Sequence, residues 1–420
     1  MPTTESFHGT RVFPVGQEPR PITTEDYSVV GAIIVAPNAD EDEWPLDTAV
    51  ELFDNETAKL AALGTGGNVD AVFDALIDQH DEYHTATEIV AVRVAEGAGE
   101  TAQAKLEATI ANIVGSGATF KGVHAFKHAR KRPKILIAPG YMSQRISGAK
   151  NPVAAELAGI AARMRGIYIC DCPATTKDAA AEYAEDFPDD KRAYLIEPGV
   201  LVSGPAGTPI FQPASGRVAG MFVRRDKAAG GPHKSPSNQS IGGIVGASRP
   251  ISYYDAEPDS EANWLNQQHI ATIKENFILW GNHTMAADPL ERFVNVVRTE
   301  DAIDGAVIKA FNWAIDANLD VPLGSAILHS LDDFLAEASA KGWIIDGRCW
   351  FDRSLNTNAS MASGILRIEY DREPYAPLED LQFGARRNVG YYDQVAEGIA
   401  RIAERISSTR SQLVYTFGQS

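Results

Sequence analysis

Between residues 132 and 197, strand and helix signals alternate so regularly that one architecture remains. PKILIAPG reads as a short apolar strand. NPVAAELAGIAARMRG reads as a helix opened by Pro152 and closed by Gly166. IYICDC is a strand, TTKDAAAEYAED a helix and RAYLIEP a strand. This order and spacing specify a right-handed parallel βαβαβ unit. SVVGAIIVAP (28–37) is a continuous apolar run of the kind buried inside such sheets. ATEIVAVRV (86–94) is another strand, and EGAGETAQAKLEATIANIVG a loop and a helix. TAKLAALG is a short helix closed by Gly64. Asn68 is placed to cap the next helix, which carries Val69, Val72, Phe73, Leu76 and Ile77 on one face.

The remainder is less regular. Residues 200–260 are rich in Gly, Pro and Ser; WLNQQHIATIKENF then reads as helix and ERFVNVVRT as strand. DAIDGAVIKAFNWAIDAN is an amphipathic helix with Ile303, Val307, Phe311, Ala314 and Ile315 on its apolar face. ILHSLDDFLAEASAKG is a second, ending at Gly342. GWIIDGRCWFD and SGILRIEYD read as strands, YYDQVAEGIARIAERI as a third helix and QLVYTF as a final strand. At the other end FHGTRVFPVG is a strand-like piece with Phe7, Val12, Phe13 and Val15, cut off by the prolines of EPRPI. With 420 residues, 44% of them hydrophobic, the chain can hold two or three cores. The expected fold class is α/β (α+β overall). An arm (1–23) precedes an α/β region (24–298), a C-terminal α+β domain (299–406) and a second arm (407–420).

A net charge of −18 sets most of the surface against nucleic acid and anionic membranes. No apolar run approaches the roughly 18–20 residues that span a bilayer, and MPTTESFHGTRVF has no signal-peptide pattern, so synthesis in a cytosol is expected. GGPHKSPSNQSIGGIVG (230–246) invites a test for phosphate. A phosphate loop needs glycine before its Lys-Ser pair, where this chain has His233, and Pro232 removes a further amide. GTGGNV (64–69) follows a helix rather than a strand and falls short of the dinucleotide fingerprint. His80 and His84 in HDEYH lack the HExxH order and a third ligand. There is no GxSxG elbow. The expected catalytic, cofactor and metal residues are none.

The ordered pieces resemble the contractile tail sheath proteins of bacteriophages, most closely the P2-like branch. The resemblance rests on FHGTRVFPVG with PRPI, SVVGAIIVAPNADEDEWPLDTAV, PKILIAPGY, AAELAGIAARMRGIYICDCPATT and SPSNQSIGGIVG. LNQQHIATIKENFILWGNHTMAADPLERFVNVVRT, with its Trp-Gly-x-x-Thr turn, and WFDRSLNTNASMASGILRIEYDREPYAPLEDLQF complete it. It runs over nearly the whole chain and includes no catalytic motif; His233, Cys170 and Cys172 are local variants.

The resemblance implies a structural protein in the virion tail, assembled in the host cytoplasm: a homo-oligomer of stacked rings in a helical sheath. Its implied partners are the tail tube protein, baseplate and tail terminator proteins, with no direct nucleic acid and no membrane insertion. Contraction would drive the tube through the bacterial envelope for genome delivery. The terminal segments then become inter-subunit arms: Phe7, Val12, Phe13 and Val15 at one end, Leu413, Val414, Tyr415 and Phe417 at the other, adding strands to neighbours' sheets. Residues 386–410 hold five arginines and three acids on an acidic chain, and the family's tube-facing surface lies in the C-terminal domain. Arg386, Arg387, Arg401 and Arg405 are therefore tube-facing candidates; a solvated helix face is the plainer alternative. Cys170, Cys172 and Cys349 are candidates for inter-subunit disulfides once particles leave the reducing cytosol; small buried side chains on strands are the plainer alternative for all three. The alternative function is the sheath of a tailocin or an extracellular injection system. For Lys234, Ser237 and Asn238 the choice is between fixing a loop and touching a neighbouring subunit.

Overall fold

The computed structural model describes residues 21–417, with side chains to residue 410. Phe7, Val12, Phe13 and Val15 lie outside the described residues. The described chain divides into a large unit ending at Pro377 and a small one beginning at Leu378.

The large unit is built on a nine-stranded sheet of order β2-β3-β1-β4-β5-β6-β11-β12-β9. Its strands are β1 (Val30–Val35), β2 (Ala49–Phe53), β3 (Glu88–Val94), β4 (Ile135–Ile137), β5 (Ile167–Asp171), β6 (Ala193–Ile196), β9 (Gln239–Ser240), β11 (Ile270–Lys274) and β12 (Ile278–Trp280). From β3 to β11 the pairing is parallel, and β2, β12 and β9 close the edges antiparallel. The expected βαβαβ unit is present. A hairpin of β7 (Val200–Ser203) and β8 (Pro209–Gln212) joins β10 (Gly246–Ala247) in a three-stranded sheet.

Both faces of the main sheet are covered, as continuous apolar strands require. Along β1, Val30, Ala32 and Ile34 point to one core, while Ile33 and Val35 point to the other. The first core is closed by α2 (Val69–Ile77), which follows the short α1 (Thr57–Ala61), and by α6 (Ser215–Ala229). The second is closed by α3 (Ala102–Val114), α4 (Pro152–Met164) and α5 (Lys177–Ala184). A third, smaller core joins Ile22 and Tyr27 to α8 (Val294–Ala310), α9 (Val321–Ala340) and Ile344 of the two-stranded sheet β13 (Ile344–Trp350)–β14 (Glu369–Pro374). The boundary expected at 298/299 falls inside α8.

Several local expectations change. Asn68 does not cap α2 with its side chain. It accepts from Val35 N and donates to Ile33 O and Pro139 O, fastening the end of β1 to the segment after β4. Helix α6 arises where a Gly/Pro/Ser-rich connection is expected. Its Gly216 and Gly220 lower helix propensity but let it approach α2, since a Cβ on Gly216 would lie 2.0 Å from Ala71 O. WLNQQHIATIKENF is only half helical: α7 (Glu261–Gln267) stops before His269, which has φ +61°, and Ile270–Lys274 becomes β11 beside β6. ERFVNVVRT, expected as a strand, opens helix α8, because Asn295 and Arg298 find buried partners and need no solvent face. In SGILRIEYD the strand begins only at Glu369; the short α10 (Asn358–Ala362) lies upstream.

In the small unit α11 runs from Tyr392 to Phe417, so QLVYTF is helical rather than a strand. A lone strand has no partner for its backbone N–H and C=O groups, whereas a helix pairs them within the segment. Leu413, Val414, Tyr415 and Phe417 therefore have helical backbones.

Candidate functional site

The loop at 230–246 is spent on internal joints. Gly230 ends α6 in the left-handed conformation, with φ +72°. His233 is buried and stacked on Trp343 of the third core, ring centroids 6.0 Å apart, and its carbonyl accepts from Asn295 Nδ2, which also donates to Tyr375 O. Burial first, then Lys234 and Arg225, push the His233 imidazole down to about 4. Ser237 Oγ accepts from Gly281 N in the Trp-Gly-x-x-Thr turn, and Asn238 N donates to Leu279 O at 2.6 Å. Gly242 exchanges two hydrogen bonds with the Gln79 amide at the end of α2. The loop thus ties α2, the β12 edge and the small core into one body. Ser237 and Asn238 fix the loop itself; Lys234 stands exposed.

The other sequence candidates are also structural. His80 meets Asp54 at 2.8 Å, and Asp54 in turn accepts from Thr87 N. His84 is buried against Thr87 Oγ1 at 3.0 Å, and burial, with His80 second, pushes it down to about 4. Among the described residues no cluster of His, Cys, Asp and Glu could hold a metal ion. Asp171, at the C-terminal end of β5, accepts from both Ser215 N and Ser215 Oγ and so holds the first turn of α6; burial raises its carboxyl to about 6.

Cys170 and Cys172 are buried free thiols on the second core. Burial raises both thiols far above the usual range, and the Cys170 Sγ lies 3.2 Å from the Tyr183 hydroxyl. A thiol enclosed on all sides cannot meet another chain, which removes these two as surface disulfide partners in the folded subunit. Cys349 is half-buried on β13, with its Sγ 3.5 Å from Leu328 O.

In the small unit every described side chain from residue 378 to residue 410 is exposed. Val395, Ile399, Ile402 and Ile406 recur at helical spacing on α11 and form one uncovered apolar face. Arg401 and Arg405 lie one turn apart on the same helix; Arg401 faces Glu397 at 3.5 Å. Arg386 and Arg387 precede the helix in irregular backbone. A helix with an uncovered apolar face is built to be completed by another surface. Among the described residues no helix is long and apolar enough to cross a membrane.

Comparison with known proteins accounts for a chain whose joints are internal and whose small unit is uncovered. Residues 114–285 match the family model described as "Phage tail sheath protein central domain". The chain is 31% identical to a putative prophage major tail sheath protein of Pseudomonas aeruginosa (strain UCBPP-PA14), over 90% of this chain and 95% of that one. It is 28% identical to the tail sheath protein of Escherichia phage P2, with the same coverage of each. In three dimensions it is similar to the PVC sheath complex of an extracellular contractile injection system in the contracted state. That match has TM-score 0.64 and 14% identity, and covers 92% of this chain and 99% of the other. The helical sheath of the anti-feeding prophage, also contracted, matches with TM-score 0.62 and 14% identity, over 92% of this chain and all of the other. The chain belongs to the phage tail sheath family, the structural proteins that form the sheaths of contractile tails.

Proposed function

We propose that this chain is the repeating subunit of a sheath that encloses a rigid tail tube, meets the baseplate at one end and the tail terminator at the other, and drives the tube through a bacterial envelope when it contracts. The observation that carries this reading is similarity to a P2 tail sheath protein across nearly the full length of both chains. The internal joints made by the 230–246 loop suit a subunit that rotates and slides as a rigid body while its links to neighbours persist. The arms supply those links. The N-terminal segment with Phe7, Val12, Phe13 and Val15 adds a strand to one neighbour, and residues 413–417 exchange helix for strand when a neighbour's sheet edge offers them backbone partners. The uncovered face of α11, flanked by Arg401 and Arg405, is the surface proposed for the tube. Assembly takes place in the host cytoplasm.

The test is negative-stain microscopy of the purified full-length chain. Helical tubes or stacked rings are expected; a chain that stays monomeric at every concentration overturns the reading. The two solved sheaths above belong to phage-tail-like particles, which keeps such a particle as a second reading. Capsid and terminase genes beside this one decide for a virus.

A further inference from the structure

A basic cleft of about 580 Å³ opens at the N-terminal ends of the parallel strands. The segments leading into β1 and β4 form two of its walls, the end of α4 a third, and Ile308 and Lys309 of α8 a fourth. Seven of its lining residues are Lys or Arg and two are carboxylates, on a chain of net charge −18. The two carboxylates are already engaged: Glu25 with Lys134 at 2.9 Å, Asp26 with Lys227 at 2.8 Å. Arg130 and Lys131 face Glu51 and Glu88. Arg132 and Arg163, both exposed, make no hydrogen bond or ion pair with any described residue. The cleft therefore presents unmatched positive charge in a concave setting, where an anionic group is favoured.

The complementary surface lies on the same chain. Asp40, Glu41, Asp42 and Glu43 are four consecutive exposed carboxylates, none in an ion pair among the described residues. Their loop is rigidly held. Asp40 N donates to Ala62 O, and Trp44 N donates to Asp40 O. Trp44 is fully buried and donates through its indole to Lys59 O, while Arg93 Nη1 donates to Trp44 O. This loop follows the C-terminal end of β1, whereas the cleft sits at its N-terminal end. A six-residue strand spans about 20 Å, so loop and cleft lie at opposite ends of the strands and do not meet within a subunit.

We propose that the basic cleft of one subunit receives the acidic turn Asp40–Glu43 of a second copy of this chain. The contact is head to tail. Such a contact uses two different surfaces and does not cancel itself by symmetry, so its repetition generates rings or open helices rather than closed dimers. Charge complementarity of this kind fixes register and speeds encounter, and it weakens as salt screens it. The inference rests on the reading of the chain as a self-assembling sheath subunit.

The experiment compares tube formation, by sedimentation and negative stain, for the full-length parent and three variants. One reverses the cleft (Arg132→Glu with Arg163→Glu), one reverses the turn (Glu41→Lys with Glu43→Lys), and one carries all four changes. All four positions are exposed, and melting temperatures verify that each variant folds. Each two-site reversal is expected to raise the concentration needed for tubes by about ten-fold or more, with the four-site exchange returning most of that loss. Tubes at the parental concentration from either folded two-site variant overturn the pairing, as does a folded four-site variant no better than its two-site parents. If the parent itself never assembles, the sheath reading is what fails, and the pairing falls with it.

Discussion

Arg298 grips Asp226 through two hydrogen bonds, 2.9 and 2.5 Å long, with both side chains 1% exposed. The same guanidinium donates to Tyr27 O. One residue thereby binds α8 to α6 and to the segment entering the sheet, and joins the third core to the first. Burial raises the Asp226 carboxyl to about 6 against the pull of Arg298. Arg298→Met leaves that carboxylate buried without its partner and is expected to cost about 3–5 kcal/mol in urea denaturation. Arg298→Met with Asp226→Leu removes both charges and is expected to recover most of that loss. A single variant as stable as the parent would show that the pair does not hold the two cores together.

His233 makes stability depend on pH. Its folded pKa is depressed to about 4 from an ordinary 6.5, so below pH 6.5 the unfolded chain takes up a proton that the folded chain refuses. The contribution is complete above pH 6.5 and is lost as pH falls toward 4. His84 acts in the same direction and over the same window. His233→Gln starts less stable because the stack on Trp343 is altered, but it should lose less stability than the parent between pH 7 and 4.5. Urea midpoints across that range measure the slope, and equal slopes would exclude His233 as a source.

The thiols predict a count. In the native subunit at neutral pH, Cys170 and Cys172 should resist a thiol reagent, and Cys349 should react slowly because burial raises its pKa. One thiol per native chain and three per denatured chain are expected. Any disulfide-linked dimer from oxidised particles should vanish in Cys349→Ser and persist in Cys170→Ala.

Gly243 has φ +69°, and a Cβ there would fall 1.8 Å from Asp78 Oδ2, the atom that accepts from Arg217. Gly243→Ala combines backbone strain with displacement of that ion pair and is expected to destabilise by about 1–3 kcal/mol. Gly148→Ala, with open space around its Cβ, isolates the backbone cost, since its φ is also positive. Denaturation midpoints that shift equally would show that the Asp78 clash adds nothing.

Arg401→Glu with Arg405→Glu tests the tube-facing surface. These side chains are exposed and make at most one weak ion pair, so the melting temperature of the subunit should stay within a degree or two of the parent. Sheath formation around co-expressed tube should fall, while tubes of sheath alone persist. Unchanged sheathing of the tube would assign the two arginines to solvent.

The alternation at 132–197 was sufficient by itself to specify the parallel unit, because β4, β5 and β6 are short continuous apolar runs and the helices between them carry their own N-caps, Asn151 and Thr176, and one apolar face each, so nothing distant is needed to interpret them. The same holds for α9, whose periodicity and terminal Gly342 are local. The cleft also left a trace, the basic run HARKRPK before β4, but only the fold brings it beside Arg163 and Lys309. What the sequence could not decide shares one cause. Helix α6 depends on α2 accepting its glycines, β11 on a vacant place beside β6, and the helical start of α8 on Asp226 and Tyr375 reaching Arg298 and Asn295. Each of these segments is close to neutral in its local preference, so the partner it meets in space sets its conformation. QLVYTF belongs to the same class, and its helical state follows from having no strand to pair with among the described residues.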